Sequence, residues 1–357
     1  MQITPVKYKI NGHLAGQARI TPITDHGPLK TITMDRILEI KNLRTYFETR
    51  SGTVKALDGV DLSVKKGETL GIVGESGCGK TVLALSIMRL IPVPPGRIIT
   101  GSILFDGIDL LRLDDEEIRM HRGKDISMIF QEPMNSLNPV LKVGEQVSEV
   151  IRLHQGLSKK DAMDRALEMF RLVGMPSPEE RLDNYSYQMS GGMRQRVMIA
   201  MALSCNPRLM LADEPTTALD VTIQAQIIDI INKLKDDVGT SVIFITHDLG
   251  IIAGAAQSVA IMYAGKVVEY SSVEELFSYP LHPYTAGLME SIPRLDDTSA
   301  RVKYLKVIPG VVPNLYELPP GCSFQERCSH TMEICKKEEP ELKEIKSGHF
   351  VRCWKYS

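Results

Sequence analysis

Gly74-Glu75-Ser76-Gly77-Cys78-Gly79-Lys80-Thr81 matches the phosphate-binding loop pattern G-x-x-x-x-G-K-[ST] at every fixed position. Its flanks match as well. Thr69-Leu70-Gly71-Ile72-Val73 is a short apolar run of strand type, and Val82 to Met88 reads as the helix that follows. Strand, glycine loop and helix in that order aim backbone N–H groups and the positive end of a helix at one point, which suits a phosphate. Lys80 is placed to reach the terminal phosphates, and the Thr81 hydroxyl to ligate Mg²⁺. The plain alternative is a glycine-rich turn without a ligand, and the flanks weigh against it. The reading implies an α/β fold of the phosphate-loop ATPase type.

A second nucleotide motif lies far downstream. Leu209-Met210-Leu211-Ala212-Asp213-Glu214 is an apolar run ending in two carboxylates. Such a run suits a strand buried on both faces of a sheet. Asp213 at its end is the expected Mg²⁺ holder, and Glu214 the expected general base for the attacking water. Alone, four apolar residues and an acid are commonplace. Paired with the glycine loop they carry weight.

Between the two motifs, Met189-Ser190-Gly191-Gly192-Met193-Arg194-Gln195-Arg196 precedes a helical pattern with Val197, Ile199, Ala200 and Leu203. Ser190, Gly191 and Gly192 would present backbone donors at a helix N-terminus, a second anion site. One nucleotide hardly needs two cradles in one fold. The economical reading gives the second cradle to a nucleotide held by another subunit.

At this point the chain resembles the ATP-binding subunits of ABC transporters, whose signature is Leu-Ser-Gly-Gly-Gln. It departs from that signature at Met189 and Met193, and Met193 lacks the polar contacts of a glutamine. The resemblance implies further roles. Gln131, in Ile129-Phe130-Gln131-Glu132-Pro133, matches the Q-loop glutamine, which touches Mg²⁺ or the attacking water. Asp220, in Thr217-Ala218-Leu219-Asp220, matches the D-loop that crosses the dimer interface. His247, after the apolar Ser241-Val242-Ile243-Phe244 run, matches the switch histidine at the γ-phosphate. Tyr46 and Phe47 lie where the family places an adenine-stacking aromatic. Neighbouring strand residues face opposite ways, so only one can stack. Phe47 is favoured, with a core role for both as the alternative.

Asn135 to Gln188 matches the family's helical subdomain. Lys159 to Val173 places Ala162, Ala166, Leu167, Phe170 and Val173 at helical spacing. The segment is too short for long coiled-coil arms. Met134-Asn135-Ser136-Leu137-Asn138-Pro139, Leu281-His282-Pro283-Tyr284-Thr285, Ile308-Pro309-Gly310 and Gly321-Cys322-Ser323-Phe324-Gln325-Glu326-Arg327-Cys328 are similar to the oligopeptide/dipeptide branch. That similarity covers residues 36–354. It implies an ATPase domain over 34–270, with a helical subdomain at about 135–190, and a C-terminal extension over 271–357. It also implies ATP and Mg²⁺ as ligands and a second ABC ATPase subunit, as heterodimer or homodimer. Two membrane permeases and, indirectly, an extracytoplasmic solute-binding protein complete the implied partners. The expected location is the cytoplasmic face of the membrane. The same branch contains importers of nickel and of sugars.

Cys322, Cys328, Cys335 and Cys353 crowd the C-terminal end, with five, six and seventeen residues between them. Disulfides are not expected in a cytosolic ATPase. Four thiolates suit Zn²⁺ or an iron–sulfur cluster. The spacing alone leaves both open, with unligated thiols as a third reading. The resemblance implies a [4Fe–4S] cluster, structural in role. It is expected to lie outside all ATP motifs, in a separately cored tail. Cys78 and Cys205 read as ordinary buried or semi-buried thiols.

Composition narrows the remaining classes. The 357 residues are 43% hydrophobic and 24% charged, enough for one large domain and a smaller one. Lys+Arg total 42 against 44 Asp+Glu, so charge makes no case for nucleic acid. There is no apolar run of membrane-spanning length and no signal-like segment. Residues 1–33 are polar and non-periodic, either a disordered arm or an artefact ahead of a start at Met34. They carry no assigned function. Two rivals remain. A soluble ABC ATPase of DNA repair or translation usually carries two cassettes or long coiled-coil insertions. A regulatory nucleotide-binding module would not need Lys80, Glu214 and His247 together.

Overall fold

The computed structural model describes residues 35–131, 136–217, 219–291 and 307–356. The N-terminal arm, Met34 and the Met134-Asn135 part of one motif lie outside these residues. The strands are β1 Arg36–Thr49, β2 Gly52–Lys65, β3 Thr69–Val73, β4 Gly96–Phe105, β5 Ile108–Asp109, β6 Ile126–Ile129, β7 Leu209–Asp213, β8 Ser241–Thr246, β9 Ser258–Tyr263, β10 Lys266–Ser272, β11 Lys343–Lys346 and β12 His349–Val351.

Apolar runs become the middle of the main sheet. β3, β7 and β8 are buried along their whole length, as strands covered on both faces must be. The sheet order is β11-β12-β10-β9-β3-β8-β7-β6. It is parallel from β9 to β6, and β10, β12 and β11 extend it antiparallel. A second, antiparallel sheet has the order β2-β1-β4-β5.

Alternation along the strands divides the interior in two. Leu209, Leu211, Ile243, Ile245, Ala260 and Met262 join the core shared with β1, β2 and β4. Their neighbours Met210, Ala212, Val242, Phe244, Val259 and Ile261 join the core beneath the helices. Period-two side-chain geometry produces this division.

The helical subdomain forms around helices Val143–Gln155 and Lys159–Leu172, which pack on each other and on helix Gly191–Leu203. Ser158 caps the second of them by accepting from the Asp161 N–H at 3.2 Å. Its buried stripe is Ala162, Ala166, Met169 and Phe170. Leu167, expected in that stripe, is only half-buried. One residue past Ala166 turns a side chain about 100° away from the core, and Met169 occupies the favoured angle instead.

Among the described residues, the C-terminal tail has no core of its own. Phe324 is 3% exposed within the helix-side core, and Ile308, Leu315, Leu318, Cys322 and Cys328 pack against it. The expectation of a separately cored tail is therefore corrected. Tyr263, Tyr284 and Phe324 are its hinge of contact, with ring centroids 4.7–5.5 Å apart. The sequence shows four cysteines crowded in the tail, but apolar residues such as Phe324 carry no mark of which core they enter.

Candidate active site

The parallel strands β3, β8 and β7 end at one edge of the sheet. Val73 pairs with Thr246, and Asp213 with Ile245. Residues that follow these strands therefore meet at that edge, the usual ligand position of an open α/β sheet.

The phosphate loop leaves β3 and enters helix Lys80–Ile87, two residues earlier than the sequence pattern indicates. Gly79, at φ 104°, is its N-cap. A Cβ there would lie 2.4 Å from the Ala56 carbonyl oxygen, and one at Gly74 would lie 2.2 Å from that of Met262. Both positions thus require glycine by space, and Gly79 also by conformation. Lys80 is 6% exposed. Its Nζ donates to the Gly74 and Glu75 carbonyls at 2.7 and 3.1 Å. Gly77, at φ 79°, sits in open space, and Ser76 is exposed. Cys78 is buried, and burial pushes its thiol pKa up.

At the end of β7, three side chains converge on Glu214. Gln131 Nε2 donates to Oε2 at 3.2 Å. Thr217 Oγ1 donates to the same oxygen at 2.8 Å. His247 Nδ1 lies 3.4 Å from Oε1. Burial works to raise the Glu214 pKa, but Thr217, His247 and Lys80 outweigh it and hold the carboxyl below its ordinary value. It is ionised at neutral pH. Its backbone is left-handed, with φ 46°. A non-glycine residue held there costs about 1–3 kcal/mol, a strain found repeatedly at functional sites.

Asp213 beside it is 1% exposed, and neither carboxylate oxygen has a hydrogen-bond partner among the described residues. Burial raises its pKa, and the Thr81 hydroxyl partly counters this. A buried carboxylate without a partner is costly. A divalent cation between Asp213 and Thr81 would relieve that cost, so the donor set fits Mg²⁺.

Ser190 caps helix Gly191–Leu203 by accepting from the Met193 N–H at 3.4 Å. Ser190, Gly191 and Gly192 line a cleft of about 650 Å³ with Leu219 and Asp220. Asp220 caps helix Val221–Val238 through the Ile223 N–H at 3.0 Å. The signature thus gathers with the D-loop rather than with the phosphate loop. Met193 is half-buried against the core. Phe47 is half-buried, with Gly96 opposite it in β4. Tyr46 donates its hydroxyl to Asp58 at 2.7 Å.

None of the four tail cysteines forms a disulfide with another described residue. Burial, reinforced by Cys335, Cys353 and Cys328, pushes Cys322 up to about 11. The Cys322 N–H also donates to the Cys335 carbonyl at 2.8 Å, so these two residues are neighbours. Among the described residues, no three His, Cys, Asp or Glu close to metal-holding geometry.

Sequence reasoning missed three contacts of the site. Thr217 lies in the quoted D-loop stretch, where only Asp220 was read. Arg327 and Tyr284 lie in quoted branch motifs, yet they bond Glu75 of the phosphate loop. Nothing local marks a contact over such separations.

The fold and this site define an ATP-binding cassette ATPase. The ABC transporter family model matches residues 57–217. The model described as oligopeptide/dipeptide transporter, C-terminal region, matches residues 268–335. The chain belongs to the ATP-binding proteins of the oligopeptide/dipeptide ABC transporter family. It is 52% identical over 321 residues to a probable peptide ABC transporter ATP-binding protein of Sinorhizobium fredii, covering 90% of this chain and 95% of that one. It is 50% identical over 323 residues to the oligopeptide transport ATP-binding protein OppD of Bacillus subtilis, covering 90% of each. Also similar is a solved dimeric structure of an ATP-binding cassette in a post-hydrolysis state, bound to ADP and Pi. It has a TM-score of 0.60 and 29% identity, over 66% of this chain and 98% of that one. Among the described residues, no helix is long and apolar enough to cross a membrane.

Proposed function

We infer that this chain is the ATP-binding and ATP-hydrolysing subunit that powers import of di- and oligopeptides through a membrane ABC transporter. The observation that carries the chemistry is the convergence of Gln131, Thr217 and His247 on the ionised Glu214 carboxylate, beside the phosphate loop. We assign Glu214 as the base that orients and deprotonates the attacking water. His247 and Gln131 position the water and the γ-phosphate. Lys80 and the amides of residues 74–81 take the phosphate charge, and Phe47 stacks on adenine. Asp213, Thr81 and Gln131 would hold Mg²⁺, which supplies charge neutralisation at the phosphate oxygens.

Gathering of the signature with Asp220 in a cleft of its own supports a composite site. Two cassettes would close head to tail, each offering Ser190-Gly191-Gly192 to the other's nucleotide. The partner is a second ABC ATPase. Closure and reopening drive two permease subunits fed by a solute-binding protein, and the chain sits on the cytoplasmic membrane face. Residues 34–270 form the ATPase domain and 271–357 its extension.

For Cys322, Cys328, Cys335 and Cys353 we propose a structural [4Fe–4S] cluster, with Zn²⁺ as the alternative. The Cys322 N–H donates to the Cys335 carbonyl at 2.8 Å, and Cys322 and Cys328 pack against the same core, which supports it. Anaerobically purified protein should then be brown, with roughly four irons per chain. One zinc and no iron would select the alternative, and neither metal would return the residues to reduced thiols.

The central test is Glu214→Gln in the assembled transporter. ATP binding should persist while turnover falls roughly 10²–10⁴-fold. Rapid hydrolysis by this variant would remove Glu214 from the catalytic role.

A further inference from the structure

Glu75 occupies a variable position of the phosphate loop, yet it is the most heavily tethered residue there. Its backbone N–H donates to the Tyr284 hydroxyl at 3.0 Å. Its carboxylate receives both terminal nitrogens of Arg327, Nη1 to Oε2 at 2.6 Å and Nη2 to Oε1 at 3.0 Å. Both partners come from beyond β10. Arg327 directly precedes Cys328 in the tail.

The Arg327 side chain is 4% exposed, while Glu75 is 30% exposed. Its guanidinium lies against two aromatic rings, 5.7 Å from the centre of Tyr263 and 5.9 Å from that of Phe324. Nε donates to the Pro309 carbonyl at 3.0 Å, and Nη1 also reaches the Tyr263 hydroxyl at 3.4 Å. Two rings and two hydrogen bonds thus hold the guanidinium besides its contact with Glu75. A planar fork on a carboxylate fixes direction as well as distance.

The chemistry of the loop gives this pair a purpose. A phosphate loop must accept a polyanion, and a free carboxylate inside it opposes that. Two charges a few ångströms apart in a partly desolvated site interact strongly. Arg327 cancels the Glu75 charge and leaves Lys80 and the helix N-terminus to act on the phosphates.

We propose that Arg327 is a positioning residue for ATP: anchored in the tail, it clamps and neutralises Glu75 and so fixes the phosphate loop. Tyr284 holds the backbone of the same residue. The proposal rests on the ATPase reading above. It makes the C-terminal extension part of the nucleotide site.

The test uses full-length protein in the assembled transporter and reads KM for MgATP, kcat and thermal stability. Arg327→Met should raise KM about tenfold while kcat falls less than threefold. Arg327→Lys keeps the charge and loses the fork, so it should raise KM about threefold. In a Glu75→Gln background the charge to be cancelled is gone, and Arg327→Met should raise KM less than threefold further. A folded Arg327→Met with KM within twofold of the parent overturns the proposal. So does the same tenfold factor in the Glu75→Gln background, because Arg327 then acts without Glu75. A fall in thermal stability with an unchanged KM would reduce Arg327 to a packing role. Should Arg327→Met fail to fold, Arg327→Lys takes its place in the cycle. A threefold rise that vanishes with Glu75→Gln supports the clamp, and no rise overturns it. Lys80→Ala in the same assay separates the two readings. If it hydrolyses ATP as the parent does, the ATPase reading fails. If it is inactive and the Arg327 variants match the parent, only the clamp fails.

Discussion

Glu214 combines a left-handed backbone, three side-chain partners and a lowered pKa in one residue. A base with such a pKa stays ionised through the physiological range, and its strength comes from placement. Lys80 has the opposite task, binding without chemistry. Lys80→Ala should abolish tight ATP binding, measured with a fluorescent nucleotide, whereas Glu214→Gln should retain it. Tight binding by Lys80→Ala would show that the loop amides suffice. Gly74 allows a sharper structural test. A methyl at Gly74 meets the Met262 carbonyl oxygen at 2.2 Å, and a backbone atom cannot swing aside. Gly74→Ala should cost about 1–3 kcal/mol of stability in a urea melt, and a loss below half of that would mean that β9 yields. At this scale the sequence was informative wherever motif and chemistry coincide, as at Asp213, Glu214 and His247. Arg327 was legible only as part of a motif. Its partner is 252 residues away, and pairing at that distance leaves no local pattern.

Among the elements, helix Pro283–Glu290 holds Tyr284 against the phosphate loop, and its N-cap is a histidine. His282 is 2% exposed, and its Nδ1 accepts from the Tyr284 N–H at 3.1 Å. Acceptance at Nδ1 requires the neutral ring. Burial lowers the His282 pKa to about 4, despite the nearby Glu269 carboxylate, which pulls the other way. In the unfolded chain a histidine titrates near about 6.5. Between these values the unfolded chain binds the proton and the folded chain does not. Stability therefore rises with pH across this window and is lost as pH falls through it, by up to about 3 kcal/mol from this residue. Urea unfolding at pH 7.5 and 5 should show the loss. His282→Asn, which can cap without titrating, should reduce the difference, and an unchanged pH dependence would assign the effect elsewhere. Strand and helix periodicity located β3, β7, β8 and helix Lys159–Leu172 closely. It did not identify His282 as a cap, because capping depends on which ring nitrogen faces the helix.

For the whole molecule, the signature cleft and the Glu214 centre invite a second copy or a relative to complete each site. Specific activity of the isolated chain should fall on dilution, since productive sites need association. A rate per subunit independent of concentration, from a proven monomer, would contradict the composite site. The tail extends the argument within one chain. The family resemblance marked it as an extension, and its four cysteines drew attention to metal rather than to nucleotide. Yet Phe324 lies in the helix-side core, and Arg327 reaches Glu75. Loss of a tail cysteine should therefore be felt at the ATP site. Cys328 adjoins Arg327 and packs against that core. Cys328→Ser should raise KM for MgATP several-fold, in the direction of Arg327→Met. Cys205→Ser, at the far end of helix Gly191–Leu203, should leave KM unchanged. The comparison is best made in anaerobic transporter, with iron content measured on the same samples. Iron loss with an unaltered KM would uncouple the cysteines from the phosphate loop. A higher KM in Cys328→Ser alone would show that the extension supports nucleotide binding from behind the loop.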